Sequence, residues 1–119
     1  MPYDMSVNLE EGYILVHLYG ELTKADIDSA LEKILIIRRE QKVNNILCNQ
    51  HQLQVPPGNM TVFDTARRFA GGPFVGMKLA IVRESIPEGM HFFETVATNR
   101  AGIVKVFDDD EEAKKWLSL

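Results

Sequence analysis

The hydrophobic pattern begins with a predicted hairpin. Met5, Val7 and Leu9 alternate with polar residues, the period of two that is typical of a strand with one wet face. Residues 13–19 are almost continuously apolar, which indicates a strand buried on both faces. The Glu10 to Gly12 stretch between them predicts a turn that pairs the two strands antiparallel.

A helix is predicted directly after this hairpin. Gly20 is expected to break the second strand, and Thr23 is a suitable N-cap with Asp26 at capping-box spacing. The apolar positions follow the i, i+3, i+4, i+7 pattern of a core-facing stripe: Ile27, Ala30, Leu31 and Ile34. The helical pattern fades near Gln41.

The rest of the chain continues as strands alternating with helices. The patterns predict strands at about 45–49, 78–83 and 103–107, and helices at about 61–69, 90–100 and 108–117. The last two strands are expected to run parallel through a helical crossover. The sequence therefore predicts one α/β domain over residues 1–119, with a four- to five-stranded mixed sheet and about four helices packed mainly on one face.

Composition and charge narrow the class of protein. The chain has 119 residues, 45% of them hydrophobic and 25% charged, as in an ordinary soluble domain. The net charge is -4 and the cations are scattered, which argues against a nucleic-acid surface. No leader is visible in the first nine residues, and no apolar run approaches the ~18 residues of a membrane span. The expected location is the cytoplasm.

No catalytic, metal or cofactor site is predicted. Cys48 lies in an apolar run, so a buried, reduced and inert thiol is expected. The three histidines share no i, i+4 spacing, and neither a nucleophile elbow nor a phosphate-binding glycine pattern is present. The acidic run 108–112 has capping-box spacing, which favours a helix cap over a metal site. The chain is therefore not expected to be an enzyme.

The segment from Gln50 to Thr61 is the predicted contact face. It is polar, contains Pro-Pro-Gly, and follows a core strand at the edge of the sheet where ligands bind in open α/β folds. The candidate partner- or ligand-binding residues are His51, Gln52, Gln54, Pro57, Gly58, Asn59, Thr61 and Arg67.

Two stretches, 16–23 and 103–117, resemble STAS-type domains, and most closely their uncharacterised SpoIIAA-like group. The first, Val-His-Leu-Tyr-Gly-Glu-Leu-Thr, is similar to the strand, turn and helix cap of that class. The resemblance implies an α/β regulatory domain in which a serine opening the second helix is phosphorylated by a partner kinase. Here that corner is Val55-Pro-Pro-Gly-Asn-Met60, and Thr61 is the nearest hydroxyl, so the phosphorylation switch is not expected.

Two functions remain open. The resemblance implies a non-catalytic regulatory or protein-interaction module with an unknown protein partner. The alternative is a carrier of a small apolar ligand or lipid, because some SpoIIAA-like chains are grouped with lipid-binding domains. A pocket for it would be lined by the aromatic residues Phe63, Phe69, Phe74, Phe92 and Phe93, although we favour ordinary core packing as the explanation of these residues.

A homodimer is also predicted. Leu35 to Ile37, like the pair Phe92 and Phe93, cannot all point into a one-sided core, because successive helical residues are about 100° apart.

Overall fold

The computed structural model describes residues 3–55, 68, 72–83 and 103–118. In chain order the elements are β1 (Tyr3–Asn8), β2 (Tyr13–Glu21), α1 (Lys24–Gln41), β3 (Asn45–Val55), a 3-10 helix (Gly72–Phe74), β4 (Lys78–Val82), β5 (Ile103–Phe107) and α2 (Asp110–Leu117). The helices predicted at 61–69 and 90–100 lie outside the described residues, apart from Arg68, which is helical.

The strands form one mixed sheet in the order β1-β2-β3-β4-β5. β1 and β2 pair antiparallel, whereas β2 with β3, β3 with β4 and β4 with β5 pair parallel. The hairpin turn contains Gly12 at φ 79°, and the Gly12 N–H donates to the Asn8 carbonyl at 2.8 Å. The predicted antiparallel hairpin and the predicted parallel pairing of the last two strands are both confirmed.

The alternation of side chains in the strands builds a core on each face of the sheet. The larger core packs α1 through Ala30, Leu31 and Ile34 against one face. The smaller core packs α2 through Ala113 and Leu117 against the other. One described helix therefore lies on each face, and this explains why β4 and the first seven residues of β2 are almost continuously apolar.

The first helix begins and ends as its sequence predicts. The Thr23 hydroxyl accepts the Asp26 N–H at 3.2 Å, and the Thr23 N–H donates to the Asp26 carboxylate at 3.0 Å, forming a capping box. The Thr23 N–H and the Thr23 hydroxyl both donate to the Asp26 carboxylate, and these two bonds lower the pKa of Asp26. The helix ends at Gln41, and Lys42 follows with the left-handed φ of 58°.

Three local predictions are wrong. Leu9 lies in the turn and is 64% exposed, so β1 ends one residue earlier, at Asn8. Gly20 does not end β2; it lies inside the strand at φ 68°, where the pairing with β3 shifts register. β3 runs to Val55, so 50–55 is strand and not loop. The last two errors share a physical reason: the extended ends of β2 and β3 pair with each other, and that pairing leaves no periodic pattern in either sequence.

Candidate functional site

The parallel strands β3, β4 and β5 end at the same edge of the sheet, where residues that follow strands meet. β3 pairs with β4 only as far as Asn49 opposite Val82, and then continues beside β2 to Val55. We call the described residues at this point, Gln50, His51, Gln52, Arg83 and Asp108 to Asp110, the carboxyl edge. Ligands and partners of open α/β sheets bind at such edges.

His51 joins the extension of β3 to the first turn of α2. Its Nε2 lies 3.0 Å from Oδ1 of Asp110, with the two side chains 29% and 48% exposed. Its backbone N–H donates to Oδ1 of Asn49 at 2.9 Å. The imidazole is therefore held in place at the surface, and it forms an ion pair with Asp110 when it is protonated.

Arg83 links the ends of three strands. Its backbone N–H donates to the Phe107 carbonyl at 2.9 Å, and its Nη1 donates to Oε1 of Gln50 at 2.9 Å. Its Nε is buried and has no hydrogen-bond partner among the described residues. Gln50 therefore orients the Arg83 guanidinium at the carboxyl edge.

Cys48 lies in β3, next to the carboxyl edge, and its thiol is unreactive at neutral pH. The side chain is 8% exposed, and Nε2 of Gln50 is 3.8 Å from its sulfur. Burial raises the pKa of the Cys48 thiol to about 11. The prediction of a buried free thiol is confirmed, and a group that stays protonated at neutral pH is a poor nucleophile.

The acidic run at the start of α2 caps that helix. Asp109 is the N-cap, and its Oδ1 accepts the Glu111 N–H at 2.8 Å. The structure thus agrees with the capping interpretation of these acids. Within residues 3–55, 72–83 and 103–118, no group of three or more His, Cys, Asp or Glu side chains is arranged to hold a metal ion.

The predicted site residues are only partly described. His51 and Gln52 are exposed at the carboxyl edge, and Gln54 lies in β3. Five residues lie outside the described part of the chain: Pro57, Gly58, Asn59, Thr61 and Arg67. The sequence analysis missed Arg83 and Asp110 as site residues, although both come shortly after a buried strand and the rule that selected His51 applies to them as well.

The proposed aromatic pocket is described at one position. Phe74 is 4% exposed and packs in the core on the α1 face of the sheet. The other four phenylalanines, Phe63, Phe69, Phe92 and Phe93, lie outside the described residues. No helix among the described residues is long and apolar enough to cross a membrane.

Comparison with known proteins places the fold. No protein-family model matches the chain, and no curated protein matches it. Among solved structures, an uncharacterised protein with a SpoIIAA-like fold from Shewanella loihica is similar with a TM-score of 0.59 at 18% identity, over 97% of this chain and 91% of that one. The unphosphorylated anti-sigma factor antagonist SpoIIAA is similar with a TM-score of 0.61 at 16% identity, over 96% of each chain.

A third structure extends the same likeness. The Bacillus cell fate determinant SpoIIAA in its phosphorylated form is similar with a TM-score of 0.59 at 14% identity, over 96% of this chain and 98% of that one. These alignments span nearly the whole of each chain that is compared. The chain therefore has the SpoIIAA-like fold, as its two resembling stretches predicted.

Proposed function

We propose that this chain is a non-catalytic regulatory module of the cytoplasm that binds a protein partner through its carboxyl edge. The observation that supports it best is the extension of β3 beyond its pairing with β4. This extension presents His51 and Gln52 on a strand and not on a loop. Side chains that are fixed before binding lose less entropy when a partner arrives. One of the similar structures is named an anti-sigma factor antagonist, and this name describes a protein that acts on other proteins. The likeness therefore also supports a protein-binding function.

The chemistry of the edge fits a partner with a carboxylate or phosphate group beside an amide or hydroxyl. Arg83 offers a guanidinium that is oriented by Gln50, and guanidinium groups donate charge-assisted hydrogen bonds to anions. His51 and Gln52 add donors and acceptors on the same surface. The five site residues outside the described part of the chain, Pro57, Gly58, Asn59, Thr61 and Arg67, belong to the same proposed face.

The module works without the phosphorylation switch. One of the similar structures is a phosphorylated form, but the corner 55–60 of this chain contains no hydroxyl side chain. We therefore propose regulation by the presence or amount of the partner. The chain is further proposed to form a homodimer.

Quantitative affinity capture from the native organism tests the contact face. The wild-type chain, the edge variant His51→Glu with Gln52→Lys, and the control variant Glu11→Lys in the distant hairpin turn are compared by mass spectrometry. A partner retained by wild type and control but reduced at least about tenfold by the edge variant supports the proposal. A set of bound proteins that is identical for all three would overturn it.

A further inference from the structure

Part of β3 contains one residue more than the stretch of β2 that pairs with it. His17 lies opposite Asn49, and Tyr19 lies opposite Gln52. The chain therefore advances by two positions in β2, from 17 to 19, and by three positions in β3, from 49 to 52. An extra residue of this kind interrupts the regular alternation of side chains between the two faces of a sheet.

The contacts of His51 and Leu53 show where the alternation is interrupted. Cys48 packs in the core on the α1 face, so regular alternation would place both His51 and Leu53 on the α2 face. His51 does lie on the α2 face, because its Nε2 is 3.0 Å from Oδ1 of Asp110 in α2. Leu53, in contrast, packs against the core on the α1 face. The change of face therefore occurs between these two residues.

Gln52 lies on the same face as His51. It is the register partner of Tyr19, and residues that are opposite each other in neighbouring strands project from the same side of the sheet. Tyr19 is on the α2 face, since Tyr13, an even number of residues before it in β2, packs in the core on that face. Two exposed polar side chains that are adjacent in sequence thus lie side by side, which a regular strand does not allow.

The burial of Leu53 accounts for this arrangement. In a regular strand Leu53 would project from the α2 face, and the amide of Gln52 would be turned toward the apolar core on the α1 face. One extra residue reverses both positions, so the leucine packs in the core and the amide reaches solvent. Gly20 lies opposite Leu53 at φ 68°, a conformation that glycine adopts readily and that an irregular pairing uses.

We propose that Leu53 is a positioning residue of the carboxyl edge. By packing in the core on the α1 face, it fixes the extra residue of β3 and thereby holds Gln52 beside His51 on the opposite face. The inference rests on the proposed function in treating Gln52 and His51 as contact residues. It adds that their side-by-side placement depends on a leucine that projects from the other face of the sheet.

An exchange of two neighbouring residues tests the proposal without changing the composition. The double variant Gln52→Leu with Leu53→Gln places the apolar side chain where regular alternation directs it into the core on the α1 face. Nuclear Overhauser contacts between β2 and β3 of the full chain report the pairing. In wild type, Tyr19 is expected to contact the backbone of Gln52; in the double variant, its contacts are expected to move to His51. A double variant in which Tyr19 stays opposite residue 52 would overturn the proposal.

Single substitutions provide an independent test. Leu53→Gln removes the apolar side chain that fixes the pairing, so the contacts between Tyr19 and Gln52 are expected to be lost. Leu53→Met keeps the apolar volume and is expected to retain them. The matched control is Leu35→Gln, the same change at a half-buried leucine of α1 that packs against the same core, and it is also expected to retain them. Unchanged contacts in Leu53→Gln, or equal loss in Leu35→Gln, would contradict the role of Leu53.

Both measurements use the chain without a partner. A wild-type pairing in the exchanged variant would refute the positioning role and leave the proposed contact face intact. A contact face that fails in affinity capture would leave the pairing of Gln52 with Tyr19 unaffected. The two proposals therefore fail separately.

Discussion

At the scale of single residues, burial decides what Cys48 does. Its pKa is raised from 9.0 to about 11 because the thiolate would lie in an apolar core without solvent. The unfolded chain ionises this thiol near pH 9, whereas the folded chain keeps it protonated until about pH 11. The folded state therefore binds more protons in this window, and its stability falls as the pH rises.

We expect the free energy of unfolding of wild type to decrease from pH 9 to pH 11 by about 2–3 kcal/mol more than that of Cys48→Ala. Urea unfolding at several pH values measures the difference, and the alanine variant is the control for all other titrating groups. Below pH 8 the difference in the free energy of unfolding between wild type and Cys48→Ala is expected to be constant. If this difference in free energy did not decrease above pH 9, the Cys48 thiol would be accessible to solvent.

Arg38 acts as a structural clamp, and this role can be tested. Its Nε donates to Oδ1 of Asn44 at 3.0 Å, while Nη1 and Nη2 donate to the carbonyls of Pro73 and Val75 at 2.5 and 2.8 Å. A lysine cannot reach three acceptors in this geometry. We expect Arg38→Lys to lower the free energy of unfolding by about 1–3 kcal/mol, and Arg39→Lys on the exposed side of α1 to change it by less than about 0.5 kcal/mol. Equal effects in thermal denaturation would exclude the clamp.

At the scale of elements, the bulge in β2 depends on one glycine. Gly20 has φ +68°, and within the described part of the chain a Cβ there would meet no atom within 4 Å. The penalty for a side chain therefore comes from the backbone. We expect Gly20→Ala to lower the free energy of unfolding by roughly 1–2 kcal/mol, and Gly20→Asn by less, because asparagine tolerates the left-handed region better. Chemical denaturation of the two variants ranks them, and the opposite order would refute the backbone explanation.

The cap of α2 provides a second test at this scale. Asp109→Ala is expected to cost about 1 kcal/mol of stability through the lost bond to the Glu111 N–H, and Asp109→Asn less, since asparagine also caps well. Asp108→Ala, at the exposed position before the cap, is the control.

Because we interpret the acids as a cap, adding calcium or a chelator is expected to leave the melting temperature of wild type unchanged. A rise of several degrees with calcium would restore the metal interpretation.

The elements that the sequence predicted well are those whose own side chains determine them. Thr23 with Asp26 marks the start of α1, and the apolar run of β4 identifies a central strand, because each signal is local. The extension of β3 to Val55 could not be predicted this way, since its partner is the irregular end of β2. Long-range contacts also determine part of the site, and the sequence does not reveal them. His51 was selected as a loop residue, but the side chain that holds it in place is Asp110, 59 positions away.

At the scale of the whole molecule, the fold is shared with SpoIIAA, one structure of which is a phosphorylated form. We predict that incubation with ATP and a kinase of the anti-sigma type leaves the mass of the chain unchanged, because residues 55–60 contain no hydroxyl side chain. Intact-mass spectrometry is the measurement, and the variant Gly58→Ser shows whether a restored hydroxyl is sufficient for recognition. Stoichiometric phosphate on wild-type Thr61 would contradict the prediction.

The order of the strands in the sheet, β1-β2-β3-β4-β5, is also their order along the chain. Each of these strands can therefore be added to the growing edge as it leaves the ribosome, and none has to be inserted between two that are already paired. The antiparallel hairpin forms first from neighbouring residues, and α1 can cover it before β3 is complete. Synthesis from the amino terminus thus proceeds in the direction in which the sheet grows, and each new strand is added at the same edge of the sheet.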